Sequence, residues 1–179
     1  MRHLSRCLAV ITALAIVLVS AAPAQGRAQT REGFWIGFGL GYGSLGFDCS
    51  GCGTEREGAV SGYLKLGGTL SPKLLLGGET NGWTKSEGGT TLTAGNASAV
   101  VYFYPSPTGG FFLRGGLGFA TLSIGGFDES GVGGVIGTGF DIRMGAKTSI
   151  TPVFNFNWGS LSDGVSQNVV QLAVGVTFH

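Results

Sequence analysis

Few residues in this chain could do chemistry, and their spacing argues more for structure than for catalysis. Cys49-Ser-Gly-Cys52 has the C-x-x-C spacing of thiol redox sites and of half a zinc site. A structural zinc site needs four ligands, but the other cysteine is Cys7 and the histidines are His3 and His179. The same scarcity discourages a serine nucleophile, which needs a base beside it, usually histidine. Five of the charged residues, Lys65, Glu79, Arg114, Asp141 and Arg143, are set within apolar and glycine-rich sequence. If one enclosed face holds them they must pair and hydrogen-bond, because bare buried charge is costly. Two uses compete for such a set. One is an ion-pair and water network that fills an interior and holds strands in register; the other is a gate that passes solute when the pairs rearrange.

Two further motifs lose their meaning in context. Gly41-Tyr-Gly-Ser-Leu-Gly46 fits G-x-G-x-x-G, but that motif needs a following helix to present its N-terminus to phosphate. Asp128-Glu129 reads as a solvated loop tip, open at most to weak cation or lipopolysaccharide contact. No cofactor and no enzymatic activity are expected.

The elements that position these residues are legible from both ends. Arg2, His3 and Arg6 precede an apolar run from Leu8 to Val19, followed by Ala22-Pro23-Ala24. That order of basic, apolar and small residues is a secretory signal peptide. It predicts removal of 1–24 and a single domain over 25–179. After export to an oxidising compartment, Cys49 and Cys52 are expected to close as a disulfide that stiffens a loop. Glycine contributes 35 of 179 residues and charged residues only 12%, against averages near 7% and 25%. Mean hydropathy is nonetheless +0.32. Interior glycine costs a helix about 1 kcal/mol relative to alanine, so the apolar residues must be carried by strands. A net charge of +1 gives no basic face for nucleic acid.

The strands show themselves by period-two alternation. Phe34, Ile36, Phe38, Leu40 and Tyr42 share one face, while Trp35, Gly37, Gly39, Gly41 and Gly43 share the other. A soluble barrel would turn bare glycine backbone to water, whereas a membrane barrel turns large apolar residues to lipid and small or polar ones inward. Seven more segments repeat the pattern, with Val100 as a misfit. They place Lys65, Glu79, Arg114, Asp141 and Arg143 on the inward face. The last segment is Val170-x-Leu172-x-Val174-x-Val176-x-Phe178. Connections at 48–58, 85–90, 123–131 and 159–167 are expected to be the longer, outer loops. Those at 71–73, 105–110 and 145–148 are expected to be the short turns. Phe34, Trp35, Tyr104, Phe111 and Phe178 on one side and Phe47, Trp83 and Trp158 on the other are expected to form aromatic girdles.

These features together resemble the small eight-stranded outer-membrane β-barrel proteins of Gram-negative bacteria, of the OmpA transmembrane-domain and OmpX type. The segment from Tyr102 to Phe119 is similar to a turn and following strand of that group. The resemblance implies an all-β, eight-stranded antiparallel transmembrane barrel in the outer membrane, surrounded by lipid and lipopolysaccharide. It further implies a monomer, and a terminal strand, Val170, Leu172, Val174, Val176 and Phe178, read by the barrel-assembly machinery. His179 after Phe178 departs from the usual terminal aromatic. The expected function is structural or surface-interacting, with a lumen filled by polar side chains; the alternative is an OmpW-like passive channel or site for small, apolar solutes. An eight-stranded interior is about wide enough for side chains to fill.

Overall fold

Alternation of large with very small residues cannot be used by a helix, whose faces repeat every 3.6 residues, but it suits a strand with two unlike surroundings. The computed structural model describes residues 31–48 and 55–179, and its regular structure is strand apart from one 3₁₀ turn. The expected signal peptide, 1–24, and the Cys49/Cys52 pair lie outside the described residues.

The strands are β1 (Phe34–Asp48), β2 (Glu57–Ser71), β3 (Leu74–Glu87), β4 (Thr90–Phe103), β5 (Phe111–Ile124), β6 (Phe127–Phe140), β7 (Ile142–Arg143), β8 (Thr148–Leu161) and β9 (Ser166–Phe178). Except for β6 and β7, each strand pairs antiparallel with the next in sequence; β1 also pairs with β9, and β6 pairs directly with β8. The sheet is therefore closed, with eight long strands. β7 continues β6 beyond a break at Asp141 and pairs with the start of β8. Closure leaves no edge of unpaired backbone groups, which a strand structure needs if it is to cross lipid.

The expected alternation of long and short connections is corrected. β3 and β4 are joined by Gly88-Gly89 and β5 and β6 by Gly125-Gly126, all four at positive φ. Two central residues at positive φ make the type I′ turn whose twist matches antiparallel strands. Glycine pairs thus let the strands run on through 85–87 and 127–131. At the opposite end, the 104–110 connection is longer than either turn.

The wall's two faces differ as the alternation requires. Phe34, Leu40, Leu117, Phe119 and Leu172 are exposed on the outside. Inside, two apolar clusters are separated by polar levels: one at the inner end around Trp35, Tyr102 and Phe112, the other at the outer end around Leu45, Trp83 and Leu122. Here "inner" is the end holding the 104–110 connection. Val100, the misfit, points inward and packs fully buried in the inner cluster. Glycines make room for large lumen side chains. A Cβ at Gly67 or Gly77, partners across β2 and β3, would lie 2.7 or 2.8 Å from the Trp35 indole. Gly39 and Gly175 make the same room for Tyr63.

Four girdle assignments are also corrected. Trp35, Tyr104 and Trp83 are each 1% exposed inside the barrel, because their parity in the strand points them inward. Phe47 packs in the outer mouth against the outer cluster. Phe34, Phe111 and Phe178 do face outward at the inner end, joined by Phe103 and Phe140.

Candidate functional site

Across four adjacent strands, β2 to β5, the lumen gathers three charged residues at one height. Lys65 on β2 lies opposite Glu79 on β3, and Tyr102 on β4 lies opposite Arg114 on β5. The Glu79 carboxylate accepts hydrogen bonds from Arg114, from the Tyr102 hydroxyl and, at 2.7 Å, from Asn81 Nδ2. Arg114 also donates to the Tyr102 hydroxyl at 3.1 Å. Both members of the Glu79–Arg114 pair are fully enclosed. The Lys65 ammonium lies among rings, 5.1 Å from the Tyr102 centroid, 5.3 Å from Phe112, 5.9 Å from Trp35 and 6.0 Å from Tyr63. Aromatic faces carry partial negative charge and attract a cation at these distances.

Asp141 belongs to a second polar knot at the inner end. It accepts from Tyr104 at 2.8 Å and Thr151 at 2.7 Å, Thr151 meets Thr177 at 2.9 Å, and His179 Nε2 stands 3.6 Å from the carboxylate. Arg31 lies beneath, its guanidinium 3.4 Å from the Tyr104 ring centre. It donates to the carbonyls of Gly109, Pro107 and Pro72 and so ties two connections together. Arg143 is half-buried and donates to the Gly145 and Ala146 carbonyls of its own turn. In the β7–β8 ladder Arg143 lies opposite Ser149, on the side of the wall that also carries Thr151.

Above the Glu79 level the lining is carboxamide. Asn155 donates to Gln171 at 2.6 Å, Gln167 to the Thr121 carbonyl at 3.1 Å, and Asn96 to the carbonyls of Trp158 and Gly134. Leu45, Trp83, Ala94, Ala120, Leu122, Leu161 and Val169 then close the outer end, with Trp83 Nε1 held by the Gly43 carbonyl at 2.9 Å.

With the outside apolar and the inside polar and closed in layers, the wall has the arrangement a bilayer demands. The chain is similar in structure to Ail, the attachment invasion locus protein of Yersinia pestis, with 15% identity and a TM-score of 0.61 over 82% of this chain and 99% of that one. It is also similar to Neisserial surface protein A, with 16% identity and a TM-score of 0.52 over 81% of this chain and 96% of that one. The fold is that of the small eight-stranded outer-membrane β-barrels. No protein-family profile matches the sequence, and no curated protein matches it.

In this barrel the terminal strand turns Leu172, Val174 and Phe178 outward and Gln171 and Thr177 inward. At the outer rim the outward side chains become hydroxylic, with Thr84 meeting Thr93 and Ser86 meeting Thr91, so this level stands above the apolar band. Lys85 lies there 2.6 Å from Glu57 and 2.7 Å from Glu87. The hydrogen bond to Glu57, then that to Glu87, raises Lys85 above its ordinary range, and Lys85 in turn lowers Glu87. Arg56 bridges Ser44 on β1 and Asn168 on β9.

Period-two alternation also turns Asn81, Asn96, Ser98, Tyr102 and Asn155 inward, but nothing in the pattern singles them out as partners of the charges. Arg31 and His179 escaped it because they lie outside the strands, where alternation carries no information.

Proposed function

We propose that the chain is an integral outer-membrane β-barrel that works without catalysis. In this reading it is a closed, rigid wall for the envelope and presents its outer rim to the surroundings. One observation carries the reading: an apolar outer wall encloses a lumen occupied at every level by interlocked side chains, from the Asp141 knot through Glu79–Arg114 to the Trp83 cluster. The likeness in fold to Ail and to Neisserial surface protein A supports placement in the outer membrane. Residues 1–24 would be removed on export, the strand from Val170 to Phe178 would be read by the assembly machinery, and the mature chain would act as a monomer in lipid and lipopolysaccharide.

The rim argues for a different surface partner from that of one relative. Ail has been solved with the heparin analogue sucrose octasulfate, a polyanion. Here Asp48, Glu55, Glu57, Glu87, Asp128 and Glu129 outnumber Arg56 and Lys85 among the described rim residues, and like charge repels such a ligand.

A second reading, a site for small apolar solutes, has one observation in its favour. The outer mouth is lined by Phe47, Leu92 and Val165, and Phe127 at the tip of the adjoining hairpin is 82% exposed. Membrane fractionation with a gel of boiled and unboiled samples tests the first reading. A band in the outer membrane that shifts on heating is expected, and a periplasmic soluble protein would end it. Planar-bilayer recordings should show little conductance, and large stable steps would overturn the filled lumen. Liposome swelling with small solutes separates the second reading from the first.

A further inference from the structure

Between the Glu79–Arg114 level and the outer cluster lies a cavity of about 20 Å³, lined by Asn81, Asn96, Asn157, Gln167 and Gln171 beneath Trp83. Amide orientation is ordinarily ambiguous, but here fixed neighbours decide it. Asn81 gives its Nδ2 to the Glu79 carboxylate, which only accepts, and Gln167 gives its Nε2 to the Thr121 carbonyl. Asn81 Oδ1 and Gln167 Oε1 are therefore acceptors, and both are buried without a donor. Asn157 Oδ1 is in the same condition. The three residues are 7%, 5% and 6% exposed. Buried acceptors so placed are rare in folded proteins and call for a donor.

We propose that this chamber is a binding site for one water molecule, which donates to Asn81 Oδ1 and Gln167 Oε1 and meets the Asn157 amide. A water needs about 10–15 Å³ of such space and two to four polar partners, so the volume and the acceptors both match a single molecule. A bare alkali cation would fit by size. It would then lie on the Arg114 side of the lumen with no carboxylate in the lining, an uncompensated buried charge. The Trp83 cluster on one side and the Glu79–Arg114–Tyr102 group on the other enclose the site. The water thereby completes the closed lumen proposed above, and the inference rests on that reading.

The test is a crystal structure of the refolded full barrel at a resolution that shows ordered water, with a second crystal grown in rubidium in place of sodium. Expected is one density peak at about 2.7–3.2 Å from Asn81 Oδ1 and Gln167 Oε1, without an anomalous signal. The peak should be lost in Gln167→Met, which keeps the side chain's length and removes one acceptor. No peak at all, or an anomalous rubidium peak, would overturn the proposal, and the wild-type crystals decide it even where the variant does not fold. Conductance in bilayers separates the two readings. A conducting barrel refutes the closed lumen, whereas a silent barrel without the peak refutes the water site alone.

Discussion

Replacing Glu79 by glutamine is the sharpest test of the lumen's energetics, because it keeps shape and removes charge. Both side chains of the Glu79–Arg114 pair are fully enclosed, and Glu79 accepts from Arg114, Tyr102 and Asn81. Arginine does not deprotonate in a protein, so in Glu79→Gln its charge stays buried without its partner. Breaking one side of such a pair costs about 3–5 kcal/mol. The amide also turns an NH₂ where a carboxylate oxygen accepted, which loses a further hydrogen bond of about 1 kcal/mol. Adding Arg114→Met removes the stranded charge, while the glutamine oxygen still accepts from Tyr102. The double variant should therefore be more stable than Glu79→Gln alone by roughly 2 kcal/mol or more, although it departs further from the native sequence. Urea unfolding in phospholipid vesicles, followed by fluorescence of Trp35, Trp83 and Trp158, measures the wild type, both single variants and the double variant. If Glu79→Gln unfolds within about 1 kcal/mol of wild type, or if the two changes simply add, the buried pair does not couple as described.

The remaining predictions concern the wall, the rim and the first outer connection. A Cβ at Gly118 would lie 1.9 Å from the Ala97 carbonyl, while one at Gly78 meets nothing within 4 Å. Gly118→Ala should accordingly lose the heat-shifting folded band that Gly78→Ala keeps, and equal folding of the two would contradict the close strand approach. At the rim, Lys85→Met should lower the unfolding midpoint at neutral pH. Lys85 is raised and Glu87 lowered, so the contribution holds below the lysine range and above the carboxylate range. It fades as pH falls below about 4 and in about 1 M salt; a midpoint difference unchanged at pH 3 would refute the pairing. Cys49 and Cys52 should resist thiol labelling until a reductant is added, and two reactive thiols without it would exclude the disulfide.

Strand identity and sidedness were legible in the sequence because the side-chain period of a strand is two, and lipid outside with a narrow lumen inside imposes opposite demands on alternate residues. Phe34, Leu40 and Leu172 read as outward and Lys65, Glu79 and Arg114 as inward from that alone. Loop lengths were not legible: the glycine pairs at 88–89 and 125–126 act only once both flanking strands exist to be joined, and those strands then absorb residues that look like loop. Nor could alternation say which inward residues share a height. That depends on the stagger between strands, which sets Tyr102 beside Arg114 and both against Glu79. It depends also on how the inner end packs, which brings Asp141 to Tyr104 and Thr151. Sequence by itself thus determined which side of the wall each residue faces, through a local periodicity. Only the closed barrel decided which residues meet across the lumen, because those contacts join strands far apart in the chain.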